Sequence, residues 1–271
     1  MKTLRTNDFL TEAAWAEICT RPRRSATHPL AHYSGTCHCS QTGEDGLLEG
    51  IFLKIGFDTR VAVDFGCCDG IRISNTVYFK RSYGFRRILI EGGGPDRWSN
   101  RTEGEKIIYS MVTPENINGL LEQEQCPDVY DLLSLDIDGD DYWVWKAMKK
   151  KARVVVLEYM PSIPNQVPLT IKPSQSGVKS YLVKDGTDFK PDELNGYYGA
   201  NLRAFYNLGK ELGYEFVTTV SDNAFFVLAE EYPKLGLPTI SREEAIEYNN
   251  PIDYWWHNRD KHNSEWVVLD E

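Results

Sequence analysis

Val61-Ala-Val-Asp-Phe-Gly-Cys-Cys-Asp-Gly70, followed a helix-length later by Arg87-Ile-Leu-Ile-Glu91, decides how this chain folds. An apolar run ends on Asp64, Gly66 and Gly70 open a turn, and a second apolar run ends on a carboxylate. The pattern spells strand, glycine turn, helix, and a second strand with an acid at its tip. Glycines let a ligand approach the backbone, and a carboxylate at the end of the second strand can accept both hydroxyls of a ribose. A nucleoside-bearing cofactor is the expectation.

The spacing separates two such cofactors. A dinucleotide turn is GxGxxG, with backbone amides facing a pyrophosphate. Here it is DxGxxxG, from Asp64 through Gly66 to Gly70, and a carboxylate stands where a phosphate would be repelled. S-adenosylmethionine carries a sulfonium and an ammonium instead, and both tolerate nearby acids. An NAD-dependent oxidoreductase is disfavoured by the glycine pattern; a plain tight turn with an exposed acid is the bland alternative.

The 271 residues suit one α/β domain with additions. A net charge of −10 argues against nucleic-acid binding, which needs a basic footprint, and leaves neutral substrates such as sugars open. Asp8, Glu12 and Glu17 interrupt any signal-peptide core after Lys2 and Arg5, and no apolar run approaches the ~20 residues of a membrane span. The expectation is a soluble cytoplasmic protein in a reducing compartment. Six cysteines do not make a disulfide frame, because Cys67 and Cys68 are adjacent and only His38 separates Cys37 from Cys39. Cys37-His-Cys39 has no CxxC or HxxxH partner to complete a zinc site. His257 and His262 belong to a polar tail and are expected to face solvent.

Residues 1–58 read as a helical preface, with helices at Thr11–Ile18 and Gly46–Ile55. A core follows over 59–230. Its strands are expected at 60–65, 86–91, 106–112, 130–136 and 152–159, with helices at 71–83, 114–124 and 141–150. Thr113-Pro-Glu115 is a helix-start signal. Pro, Ser, Gly and Lys dominate 161–195, as in a lid or substrate loop. A helix at 200–213 precedes strands at 214–220 and 223–228, whose short Ser221-Asp222 link implies an antiparallel last pair. Residues 231–271 form an aromatic tail expected to pack on the core. The fold class is α/β: a mostly parallel seven-stranded sheet with an antiparallel last strand and helices on both faces.

Tyr130-Asp-Leu-Leu-Ser-Leu-Asp-Ile-Asp-Gly-Asp-Asp141 is the second stretch that carries chemistry. Its acids gather at the C-terminal end of an apolar strand, where ligands bind in open α/β sheets. Acids so close repel one another, and Mg²⁺ or Mn²⁺ would suit oxygen ligands there. Glu158 ends the next strand, so Asp136, Asp138 and Glu158 can share one ion, and Asn165 can add a carbonyl. An EF-hand fails, because Asp141 and Ala147 stand where Gly and Glu are required. A haloacid-dehalogenase-type phosphatase would explain Asp136-Ile-Asp138 but not the glycine turn or Glu91. A solvated acidic loop capping the next helix accounts for Asp140 and Asp141, and less well for Asp136 and Asp138.

At these residues the chain resembles the FkbM-like class I S-adenosylmethionine-dependent methyltransferases, in the branch of sugar O-methyltransferases found beside glycosyltransferases. The resemblance covers about residues 40–228. It rests on Ser40-Gln-Thr-Gly-Glu-Asp-Gly46, Asp64–Gly70 with Ser74-Asn-Thr76, Leu89-Ile-Glu91, Val112-Thr-Pro-Glu-Asn116, Val154–Tyr159 and, most specifically, Leu133–Trp145. It implies a Rossmann-like fold and O-methylation of sugars or glycosylated products. Cys67-Cys68 and Gly92-Gly-Gly-Pro95 depart from the usual pattern on the adenosine side.

The expected cofactor set is Gln41, Thr42, Asp64, Gly66, Cys67, Gly70, Ser74, Glu91 and Asp136, with Glu91 on the ribose and Gly66 and Asp64 near the amino-acid end. Asp136 and Glu158 are expected as metal ligands, and Asp138 as ligand or general base, the layout of metal-dependent O-methyltransferases. The expected partner is a sugar or glycan acceptor, with homo-oligomerisation or association with glycosyltransferases. A metal-free general-base mechanism through Asp138 on a small-molecule hydroxyl uses the same residues; a non-catalytic binding module is a further alternative, whose signature would be loss of these acids. Trp143 is expected at the acceptor pocket and Trp145 in the core. Tyr254-Trp-Trp256 and Trp266 can stack on a sugar, but such clusters more often pack.

Overall fold

The computed structural model describes residues 2–20, 24–94, 103–173, 199–251 and 264–270. In chain order the strands are β1 (Lys2–Arg5), β2 (Val61–Phe65), β3 (Arg86–Glu91), β4 (Ile107–Tyr109), β5 (Val129–Leu135), β6 (Lys151–Glu158), β7 (Leu169–Thr170), β8 (Tyr214–Val220), β9 (Asn223–Leu228) and β10 (Glu265–Val268). The helices are α1 (Thr6–Phe9), α2 (Glu12–Thr20), α3 (Ala31–Ser34), α4 (Glu44–Ile55), α5 (Val77–Tyr83), α6 (Ile117–Gln123), α7 (Asp141–Ala147), α8 (Leu202–Leu212) and α9 (Arg242–Ala245). Seven strands form one sheet in the order β4-β3-β2-β5-β6-β9-β8. β2 to β6 run parallel, and β9 runs antiparallel to both β6 and β8.

Strand alternation divides the sheet into two unlike faces. Val63, Phe65, Ile88, Ile90, Leu133, Leu135, Val155 and Leu157 join one core with residues of α6, α7 and α8. Ala62, Leu132, Val154, Val156, Phe225 and Val227 join a second core with α4 and α5. Each fully buried side chain of this size contributes roughly 1.5–3 kcal/mol. On the second face the apolar pattern stops short of the strand ends. Alternation places Asp64, Glu91, Tyr109, Ser134, Glu158 and Asn223 there, and the register sets Asp64 beside Ser134, Glu91 beside Tyr109, and Glu158 beside Asn223.

Several elements differ from expectation. The preface is not wholly helical: β1 pairs antiparallel with β10, and β10 with β7, in a separate three-stranded sheet. Trp266 is fully buried in it; its indole N–H donates to Thr6 Oγ1 at 2.9 Å and its ring meets Phe9 edge-on. α5 begins at Val77 rather than 71, because side chains capture the backbone before a helix can form. Asp69 Oδ1 accepts the Ile71 and Arg72 amides, and Ser74 Oγ accepts those of Thr76 and Val77. The Thr113 signal makes a turn, with Thr113 and Asn116 exchanging side-chain and amide bonds, and α6 starts after it. α7 stops at Ala147, where the Asn118 amide caps the Ala147 carbonyl and its oxygen takes the Lys149 N–H. β4 is shorter than the 106–112 run.

Of the expected lid, residues 161–173 include Ile163, Leu169 and Ile171, buried with Met160 and Trp266. The rest of the lid falls outside the described residues, as do Pro95, Tyr254-Trp-Trp256, His257 and His262. Among the described residues no helix is long and apolar enough to cross a membrane.

Candidate functional site

The glycine turn is wedged between β3 and β5. Gly66 has φ +72°, and a Cβ there would lie 1.7 Å from the Asp136 carbonyl oxygen, so no other residue fits without moving backbone. Its N–H donates to the Ile90 carbonyl at 3.0 Å, and the Gly70 N–H closes the turn on the Cys67 carbonyl at 2.8 Å.

Beneath the turn Asp64 is buried, its Oδ2 accepting Thr76 Oγ1 at 2.6 Å and Ser74 Oγ at 3.0 Å. Burial pushes the Asp64 pKa up, while these hydroxyls and the Arg87 charge oppose the rise. The Arg87 guanidinium is buried as well; it donates to the Gly70 carbonyl at 2.7 Å and pairs with Glu105. Asp64 and Ser74, expected to touch the cofactor, are thus bonded into the support of the turn.

Glu91 closes β3 and is itself buried. Its Oε2 accepts the Cys68 amide at 2.9 Å and its Oε1 the Gly93 amide at 2.7 Å. A carboxylate oxygen has two lone pairs, so capacity remains for hydroxyl donors. Cys67 packs with Leu89 and Ile107, and burial pushes its thiol up, beyond ionisation near neutrality.

The acidic loop touches the turn. The Asp136 N–H donates to the Phe65 carbonyl at 3.3 Å. Asp141, at the start of α7, is buried and scaffolds the loop: Oδ1 accepts the Ile137 amide and Oδ2 the Gly139 amide, both at 2.9 Å. Burial raises its pKa to about 6, against those amides and together with the Asp138 charge. The expectation of a solvated cap is corrected on this point. Asp138 itself adopts a left-handed backbone, φ 51°, which a non-glycine residue takes at a cost.

Asp136, Asp138 and Glu158 each present a carboxylate oxygen, and these lie within 4.8 Å of one another. Opposed ligands of an octahedral Mg²⁺ stand about 4.2 Å apart, twice the metal–oxygen distance, so the spacing is within reach of one ion. Burial first, then the charges of Asp136, Asp138, Asp222 and Asp141, push the Glu158 pKa well above the carboxylate range.

Asp222 was not foreseen. β8 runs parallel to β6, so its hairpin turn arrives at the same rim, and the Tyr159 N–H donates to the Asp222 carbonyl at 2.8 Å. That arrival was available from the predicted hairpin. The Asn223 amide reaches Asp222 Oδ1 at 3.3 Å and Glu44 Oε1 at 3.4 Å. Glu44 is buried and also accepts the amide and hydroxyl of Thr42. The Gln41–Glu44 loop is therefore tied to the strand end that carries Glu158, with Gln41 and Thr42 exposed on it.

Asn165 is committed to α8. Its side-chain oxygen accepts the Arg203 amide at 3.0 Å and its carbonyl the Arg203 guanidinium at 3.3 Å, in place of the expected metal-ligand role. Trp143 donates to the Ile171 carbonyl at 2.9 Å, and Trp145 is buried against Phe205, Tyr214 and Phe226. The Cys37 thiol donates to the Ser40 carbonyl, while Cys39 Sγ accepts from Arg81. Among the described residues the acid triad is the one group of three or more His, Cys, Asp or Glu whose ligand atoms converge.

No protein-family model matches the sequence, and no curated protein matches it.

Proposed function

We propose that the chain is a Rossmann-like class I S-adenosylmethionine-dependent methyltransferase that transfers methyl to a hydroxyl of a sugar or glycan, assisted by Mg²⁺ or Mn²⁺, in the cytoplasm and beside glycosyltransferases. The observation that carries this is the contact of the glycine turn with the acidic loop, Gly66 against the Asp136 carbonyl. One ligand can then span both, with its nucleoside toward Glu91 and its reactive end toward the acids. The strand order with its single reversed strand is the arrangement the family resemblance implies.

The residues present suit these groups. Glu91 keeps acceptor capacity for ribose hydroxyls, the turn presents backbone with no side chain at Gly66, and acids on the far side favour a sulfonium over a phosphate. When bound, the cofactor supplies an electrophilic methyl group and the cation lowers the pKa of a coordinated hydroxyl. Asp136 and Glu158 would hold the cation, which would return Glu158 to its ionised form. Asp138 would complete the ligand set or take the acceptor proton as general base. Asp141 and Asp64 position the two loops from below, and alignment of the acceptor supplies much of the rate.

Calorimetry with S-adenosylmethionine, then a methyl-transfer assay against a glycan panel read by mass spectrometry, tests the proposal. Asp136→Asn is expected to keep cofactor binding and abolish turnover. Absence of S-adenosylmethionine binding overturns the proposal. Full activity in chelator overturns the metal and leaves Asp138 as a metal-free base.

A further inference from the structure

Tyr109 ends β4 directly beside Glu91 in the sheet register. Its ring packs on Cys67, Leu89 and Ile107, and its hydroxyl is buried with no hydrogen-bond partner among the described residues. A hydroxyl that has given up water without gaining a protein partner costs free energy and calls for an explanation. Tyr130 provides the contrast. Its hydroxyl is also buried and unpartnered, but it lies near the N-terminal end of β5 within the main apolar core. The Tyr130 orphan thus lies at the opposite edge of the sheet from the C-terminal strand ends. The Tyr109 orphan sits at the rim, on the polar-ended face, one strand spacing (about 4.8 Å) outward from the acid assigned to the ribose.

We infer that the Tyr109 hydroxyl is a binding group for the purine of the bound nucleoside, donating to an acceptor on the base while the ring lines the wall beside Cys67. This rests on the cofactor reading above and adds a residue to it. Glu91 takes the sugar, and the next strand outward meets the base. On this reading the ligand, rather than the fold, supplies the partner of the Tyr109 hydroxyl.

S-adenosylhomocysteine and adenosine are titrated by calorimetry into wild type, Tyr109→Phe, Tyr130→Phe and Glu91→Gln, with thermal unfolding of each protein measured without ligand. Tyr109→Phe is expected to keep or raise the unfolding temperature, since it deletes an unsatisfied group, and to weaken both ligands about 3- to 10-fold. Tyr130→Phe is expected to bind both as wild type does. If Glu91→Gln weakens binding and Tyr109→Phe does not, the role of Tyr109 is overturned while the cofactor reading stands. If wild type binds neither ligand, the cofactor reading fails and Tyr109 falls with it.

Discussion

Near the N-terminal ends of β5 and β6, Asp131 and Arg153 are both buried and meet at 2.7 Å; at the C-terminal ends of the same two strands, Asp136 and Glu158 converge as two acids. At the first end every charge is answered. Asp131 also accepts the amides of Asp58 and Arg60, and Arg153 also donates to Glu231 and to the Ile55 and Gly56 carbonyls. At the second end the leading influences on Glu158, after burial, are four more carboxylates. The first arrangement holds β5, β6 and the end of α4 together. The second sets acid against acid at the strand ends, and local conflict of that kind is common at functional sites.

The largest effect should come from unpicking the first end. Arg153→Met leaves Asp131 buried without its guanidinium and is expected to cost about 3–5 kcal/mol in urea unfolding. Asp136→Asn, which removes a like charge, is expected to leave stability unchanged or raise it by up to about 1 kcal/mol. Similar losses from both substitutions would erase the distinction between the ends.

A cation should act on the second end alone. Mg²⁺ or Mn²⁺ at about 100 times its dissociation constant is expected to stabilise the wild type by about 2.7 kcal/mol, read as a thermal shift. Arg153→Met should lower the baseline and keep the shift, whereas Asp136→Asn and Glu158→Gln should abolish it. A shift that survives both acid substitutions places the ion elsewhere.

These ends differ also in how far the sequence announces them. β2, β3, β5 and β6 are legible because each is a buried apolar run, and Asp136, Glu91 and Glu158 are legible because an acid directly follows or ends such a run at the C-terminal edge of the sheet. Pairing of Lys2–Arg5 with Glu265–Val268 is not, since no local pattern links segments at opposite ends of the chain. Nor does composition say which neighbouring acid is buried. Asp141 reads as an exposed cap and proves to be the buried brace of the loop, and Asn165 reads as a ligand and proves to cap α8. α5 starts late because Asp69 and Ser74 compete for the amides that a helix would use, a contest settled by a hydrogen-bond geometry that residue spacing does not encode. Arg87 and Tyr109 matter through what lies on the adjacent strand, which register alone reveals.

The smallest effect is a matter of sign. Burial and neighbouring acids raise the Glu158 pKa from its ordinary 4.5, so above that pH the folded protein keeps a proton that the unfolded chain has released. Stability from this group is complete below about pH 4.5 and drains as pH rises, by at most about 1.4 kcal/mol per pH unit. Glu231, at the other end, behaves in reverse. Burial alone would raise its pKa, but hydrogen bonds from Lys234 and Arg153 outweigh that and hold it below the ordinary value. Its contribution is present above the ordinary pKa and is lost as pH falls through the lowered one. Unfolding free energies of wild type, Glu158→Gln and Glu231→Gln between about pH 2.5 and 8 should therefore diverge in opposite directions, Glu158→Gln gaining on wild type as pH rises above about 4.5 and Glu231→Gln gaining on it as pH falls below that value. Saturating Mg²⁺ should remove the Glu158 slope, because a coordinated carboxylate no longer needs its proton. If Glu158→Gln tracks wild type across the whole range, the rim acids impose no electrostatic penalty, and with it goes the physical reason for setting the two ends of the sheet apart.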